Sequence, residues 1–374
     1  MRPLEQFEQL RRRAVRFGDQ LADLSYANPY EGVARRTRAI LRRALDEERA
    51  LDLQYTPFGG STLARRAVAE ALRESHGAPF KFRDIVLTTG ATAALHIAMH
   101  GACQPGDEVI IPVPCWMDYP LYADTVGLKP VLVPLAAPDF DLDVDAIAGA
   151  VTPATRAVLI TQPGNPTGRL HGADSLGRLA ESILAASIGE RPITLISDET
   201  HRDFADPDAY HSPIHAYPRS LMVYSFGKYH FLQGQRLGYV AIPPSHPQRE
   251  ELGVELPRWT RASGLTTPTS LMQRALPGLL TLRHPTGWVG SLRERFGREL
   301  TAAGYEVVHG DATYFVYVRT PEGVDDFEFT ERLAKQGLLV LPAPVFHHSG
   351  YFRLALTGSS EMTERALAVL REAA

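Results

Sequence analysis

Ile193–Phe204 reads ITLISDETHRDF: an apolar run closes on two adjacent acids, Asp198 and Glu199. Ile193–Ser197 shows little alternation, as expected of a strand buried on both faces. A carboxylate at the end of such a strand is costly to bury unless it meets a cation or hydrogen-bond donors. Similar runs occur at Ile85–Thr89, Glu108–Pro112, Pro130–Val133, Ala157–Thr161, Leu221–Ser225 and Tyr239–Ile242. Helical patterns at Ala91–Ala102, Met117–Val126 and Ala173–Ala186 lie between the early ones. This alternation predicts an α/β fold whose large domain is a mostly parallel sheet covered by helices. Such sheets bind ligands at the carboxyl ends of their strands, so candidate site residues are sought just after each run.

The last ninety or so residues differ. Tyr305–Val308 and Thr313–Val318 read as strands, Phe327–Gln336 as a helix, Leu338–Leu341 and Tyr351–Ala355 as strands, and a helix starts at Ser360. A smaller α+β domain built from both chain ends is expected, residues 1–50 with 281–374, against a large domain at 51–280.

The 374 residues are 44% hydrophobic and 22% charged, an ordinary globular composition. A net charge of −4 gives no electrostatic case for nucleic-acid binding. No run is long and apolar enough to predict a membrane span. MRPLEQFEQLRRRAVRF at the N-terminus lacks the apolar core of a signal peptide. Cys103 and Cys115 are the only cysteines, too few for a disulfide framework or a cysteine-rich metal site. No metal is expected, and a reducing cytoplasm is the expected compartment. Only four of the 39 basic residues are lysines: Lys81, Lys129, Lys228 and Lys335. Chemistry that needs an amine has few candidates.

Five segments follow the strands. In TTGATAAL, Gly90 turns the chain into a helix whose free N–H groups suit a phosphate, and Thr92 could add a hydroxyl. A glycine turn before a helix is more often purely structural. In PCWMDYP, Trp116 could offer a flat face to an aromatic ring, or simply be core. QPGNPTG fixes a rigid loop around Asn165, whose plain reading is a turn. In ITLISDETHRDF, Asp198 favours a functional role, whereas a lone histidine such as His201 is more often structural. YSFGKYHFLQGQRLGYV holds Ser225, Lys228 and Arg236, whose planar fork suits a phosphate. Together these supply a phosphate cup, an aromatic plate, an asparagine, a carboxylate for a ring nitrogen and a Schiff-base amine. Pyridoxal 5′-phosphate (PLP) has the matching features.

In motif order and spacing, from about Leu24 onward, the chain resembles the fold-type I PLP enzymes of the class I/II aminotransferase family. The resemblance implies that Lys228 holds the cofactor covalently and shuttles the Cα proton. Asp198 would keep the pyridine nitrogen protonated, and Asn165 would bond the ring hydroxyl. Gly90, Ala91, Thr92, Ser225 and Arg236 would bind the phosphate, and Trp116 would stack on the ring. Tyr55, in QYTPFGGSTLARR, would reach the partner subunit's cofactor, which implies a homodimer. Arg353, in YFRLAL, would grip the substrate α-carboxylate. Asn28, in ANPYEG, stands where the family has a substrate-facing loop, though a turn reads equally well.

His201 departs from the family's usual tyrosine, which donates to the cofactor's ring oxygen; imidazole can donate there too, or serve as an acid or base. Gly227, where serine or alanine is usual, is a smaller departure. The activity implied is ping-pong transfer of an amino group between an α-amino acid and a 2-oxo acid. Replacement, cyclisation or lyase chemistry on the same cofactor is the alternative, and a ligand-sensing regulator is disfavoured by the short segment ahead of Tyr55. No second arginine is placed for a dicarboxylate, so an aspartate-type substrate is not expected.

Overall fold

The computed structural model describes residues 2–29, 35–47, 54–187 and 192–374. In chain order its strands are β1 (Ala22–Asp23), β2 (Ile85–Thr88), β3 (Glu108–Val113), β4 (Lys129–Pro134), β5 (Thr155–Thr161) and β6 (Thr194–Asp198). Then come β7 (Ser220–Ser225), β8 (Gly238–Ala241), β9 (Phe315–Arg319), β10 (Leu338–Leu339), β11 (Leu341–Pro342) and β12 (Tyr351–Ala355). A seven-stranded sheet has the order β2-β8-β7-β6-β5-β3-β4. Only β8 runs against its neighbours. The strands that carry the candidate residues therefore end at the same edge.

Alternate residues of these strands enter opposite cores. Leu221 and Val223 pack under helix Ala91–Ala102, while Met222 and Tyr224 pack toward helices Thr62–His76 and Ser270–Thr281. Burial on both faces explains the unbroken apolar runs in the sequence. The α/β class and the mostly parallel sheet agree with expectation.

The smaller unit holds an antiparallel sheet, β11-β12-β9, and the parallel pair β1-β10. Here two expected strands change. Leu338–Leu341 is split at Val340: Leu338–Leu339 pairs with Ala22–Asp23, and Leu341–Pro342 turns to pair with Phe352–Arg353. Tyr305–Val308 contributes only an isolated bridge from Val307 to Val318. Helix Pro3–Ala14 packs on this unit through Phe7, Leu10 and Ala14. Helix Arg35–Asp46 instead lies on helix Ser270–Thr281, with Ala44 in the core they share. Among the described residues no helix is long and apolar enough to cross a membrane.

Candidate active site

A cavity of about 170 Å³ opens at the carboxyl edge of the large sheet. Its wall includes Ala91, Thr92, Trp116, Asn165, Asp198 and His201. Ser225, Lys228 and Arg236 complete the set brought together from the sequence candidates.

Helix Ala91–Ala102 begins at the cavity with no side chain capping its N-terminus. Its N-cap, Gly90, has φ +91°, and an added Cβ would lie 2.8 Å from Arg236 Nη2. Glycine thus lets the arginine lie against the helix start, gathering N–H groups and a cation at one spot. Gly238 is also required: a Cβ there would lie 2.5 Å from the Tyr224 carbonyl oxygen and 2.8 Å from the Gly90 backbone. Ser225 Oγ accepts from the Gly227 N–H at 3.2 Å and caps the short helix Phe226–Tyr229 that carries Lys228.

Asp198 closes β6 and is buried. One carboxylate oxygen accepts from Tyr119 at 2.6 Å, and the other accepts from the Thr200 N–H at 3.0 Å. Burial raises its pKa, while those donors and the nearby Lys228 charge oppose the rise. Lys228 is pushed down to about 8 by burial first, then by Arg353 and Arg236, against the pull of Asp198.

Arg353, on β12, is 1% exposed. It donates to Asn165 Oδ1 at 2.8 Å and to the Ser25 carbonyl at 2.7 Å, with its guanidinium carbon 4.0 Å from the Phe315 ring centroid. Among the described residues no carboxylate pairs with it, Nε has no partner, and burial works against its charge. An unpaired buried cation of this kind favours an anionic ligand.

Two candidates stand apart. Tyr55 is fully exposed and does not line this chain's cavity. Asn28 is exposed too, with its N–H bonded to the Tyr26 carbonyl.

The sequence reading missed Tyr119, Tyr122, Thr161 and Thr200 on the cavity wall. Tyr119 is the most consequential, because it holds Asp198. Its place three residues after Trp116 was the available signal, since that spacing brings two side chains to one side of a helical turn. Tyr122 receives a long 3.5 Å contact from the Trp116 indole N–H and donates to Asp118 at 3.3 Å, which orients the indole.

A half-buried lysine beside a buried carboxylate at the strand ends of an α/β sheet defines an enzyme that works through an amine nucleophile. Comparison with known proteins makes this specific. A profile of the aminotransferase class I and II family matches residues 23–370. A probable aspartate/prephenate aminotransferase of Thermus aquaticus is 28% identical over 370 residues, 96% of this chain and 92% of that protein. An aminotransferase from Eubacterium rectale superposes with a TM-score of 0.90 at 26% identity, covering 99% of this chain and 94% of that one. Aspartate aminotransferase from Thermus thermophilus with maleate gives 0.87 at 25% identity, covering 98% and 96%. The chain belongs to the class I and II aminotransferases. It is a PLP-dependent enzyme that transfers an amino group between an amino acid and a 2-oxo acid, and the non-transaminating alternative is not favoured.

Proposed function

We propose that the cavity is the transamination site, with Lys228 and Asp198 as its catalytic pair. The observation that carries this is their meeting in one cavity, with Arg353 close enough to Lys228 to depress its pKa. The cavity fits PLP: Asp198 is met only by neutral hydrogen-bond donors, and an uncapped helix start lies beside Arg236. When bound, the cofactor supplies an aldehyde for the substrate amine and a ring that accepts the electron pair left at Cα.

The chain's own residues do the rest. Asp198, held by Tyr119 and Thr200, keeps a proton on the ring nitrogen. Lys228, with a lowered pKa, holds the cofactor and, once released, takes the Cα proton on Nζ. Gly90, Ala91, Thr92, Ser225 and Arg236 bind the phosphate, and Trp116 stacks on the ring. Asn165, whose Oδ1 is taken by Arg353, offers its NH₂ to the ring oxygen. Arg353 then receives the substrate α-carboxylate. Asn28 stays a candidate contact at the substrate entrance.

A homodimer accounts for Tyr55. Its fully exposed ring, near exposed Phe58 and Leu63 in sequence, is available to a second copy's phosphate. The cytoplasm is the compartment that the two free cysteines suit. Among the described residues, no cation beyond Lys228, Arg236 and Arg353 is available at this cavity, so the dicarboxylate in the relatives' names lacks a partner in this chain. We infer an amino acid with an uncharged side chain.

Borohydride reduction followed by peptide mapping tests the cofactor assignment, with a phosphopyridoxyl group expected on Lys228. Single turnovers with a panel of amino acids test the reaction. The visible cofactor band should bleach with the amino acid alone and return with a 2-oxo acid. Release of a leaving group with the band retained would refute transamination.

A further inference from the structure

A second hollow, of about 350 Å³, lies between helix Thr62–His76 and the chain that leads into β2. It sits at the amino end of that strand, so it faces away from the cavity at the carboxyl edge of the sheet. The helix supplies Arg66 and Arg73, seven positions apart and therefore on one face, with Ala69 between them. Alanine leaves the space between those two long side chains open. The chain before β2 supplies Lys81, Phe82 and Arg83. The half-buried Phe82 ring gathers charge around it. The guanidinium carbons of Arg65, Arg66 and Arg83 lie 5.5, 5.6 and 5.7 Å from its centroid.

The nearby acids do not balance these cations. Among the described residues the one carboxylate on the wall, Glu70, already faces Arg73 at 3.6 Å. Asp84 is buried and is held by Arg249, which donates to its two oxygens at 2.7 and 2.6 Å. Arg65 spends its Nε–H on the Phe82 and Ile85 carbonyls, at 2.9 and 2.7 Å. Among the described residues no carboxylate pairs with Arg66, Lys81 or Arg83. Three unpaired cations thus share one concave spot on a chain whose net charge is −4.

We propose that this hollow binds a short phosphate chain, such as that of a nucleoside triphosphate or of inorganic tripolyphosphate. Adjacent anionic oxygens can meet several of the cations at once, and the planar forks of Arg66 and Arg83 match phosphate oxygens. A nucleic-acid strand, with its charges spread along a track, would leave most of its phosphates facing a protein of net negative charge.

The test is calorimetric titration of the holoenzyme with tripolyphosphate, ATP and inorganic phosphate, at fixed ionic strength and without divalent cations. Tripolyphosphate should bind once per chain, at least about 10-fold more tightly than inorganic phosphate, and more weakly as salt is raised. The visible cofactor band should not change. ATP binding as tightly as tripolyphosphate identifies the phosphate chain itself as the ligand, and a 10-fold preference for ATP identifies a nucleotide. Arg66→Gln combined with Arg83→Gln should weaken tripolyphosphate by at least about 10-fold and leave turnover unchanged. Arg178→Gln combined with Arg258→Gln removes two exposed arginines elsewhere and should leave binding unchanged. Absence of saturable binding overturns the proposal, and so does an equal loss in both double variants. Displacement of the cofactor would place the ligand in the active site and overturn it too, as would tighter binding of a single-stranded oligonucleotide of matched charge.

Discussion

Lys228 should make the cofactor-free protein less stable than it could be, and Lys228→Met should reveal by how much. The side chain is half-buried in the cavity wall, and its pKa falls from 10.5 to about 8. At about 1.36 kcal/mol per unit, keeping it charged inside the fold costs about 3 kcal/mol at pH 7, below both values. The attraction of Asp198 is already within that figure, because it acts against burial. Methionine keeps most of the side chain's length and removes the charge. The sign follows from proton counting. Between about pH 8 and 10.5 the unfolded chain holds a proton on this amine that the folded chain has released, so wild-type stability rises with pH across that window. The variant's advantage should therefore be complete at pH 7, shrink from pH 8 and vanish above 10.5. Urea unfolding of both proteins, stripped of cofactor and at matched concentration, measures it through the shift in midpoint. A variant no more stable than wild type at pH 7, or an advantage that does not shrink by pH 10, would refute the reasoning. The same variant should show no turnover.

Three further outcomes are expected. Asp198→Asn should retain borohydride-fixable cofactor on Lys228 but lose turnover by roughly 10²- to 10⁴-fold in steady-state assays, the scale of a broken buried ion pair. Tyr119→Phe removes the 2.6 Å bond to the Asp198 carboxylate. It should lower kcat by about 10- to 100-fold with little change in the amino acid's KM, following the worth of a hydrogen bond to a charged group. Gly90→Ala places a methyl group 2.8 Å from Arg236 Nη2 at a φ of +91°. Its cofactor should dissociate at least about 10-fold more readily on dialysis, whereas undiminished retention would remove Arg236 and the helix start from the phosphate site.

What the sequence made legible was local. Continuous Val, Ile and Leu runs mark strands covered on both faces, and polar residues directly after them mark the cavity edge. Asp198 and Lys228 were found in that way. The missed features depend on pairings that no short window contains. Tyr119 reaches Asp198 across 79 positions, and Arg353 reaches Asn165 across 188. Val340 divides an apparently single strand because residues on either side pair with different parts of the chain. Apolar spacing records that a residue is buried, but not which partner buries it.

The long-range pairings also explain why the site asks for a ligand of negative charge. Lys228 and Arg236 lie eight residues apart, Arg353 comes from a distant segment, and both arginines depress the lysine, while Asp198 is the one acid in this set. Arg236 is exposed, so the charge that is costly to bury is that of Arg353 and of half-buried Lys228. The fold tolerates this because the excess charge is complementary to a phosphate, a ring oxygen and a substrate carboxylate placed as proposed. On that view the low amine pKa and the instability of the empty site have one origin. Cofactor binding should stabilise the fold most where it neutralises these cations, and replacing Arg236 with methionine should raise the Lys228 pKa while weakening cofactor retention. In the apoprotein, the pH dependence of Lys228 labelling by an amine-reactive reagent should move upward, and an unmoved profile would show that the arginine does not act on the lysine.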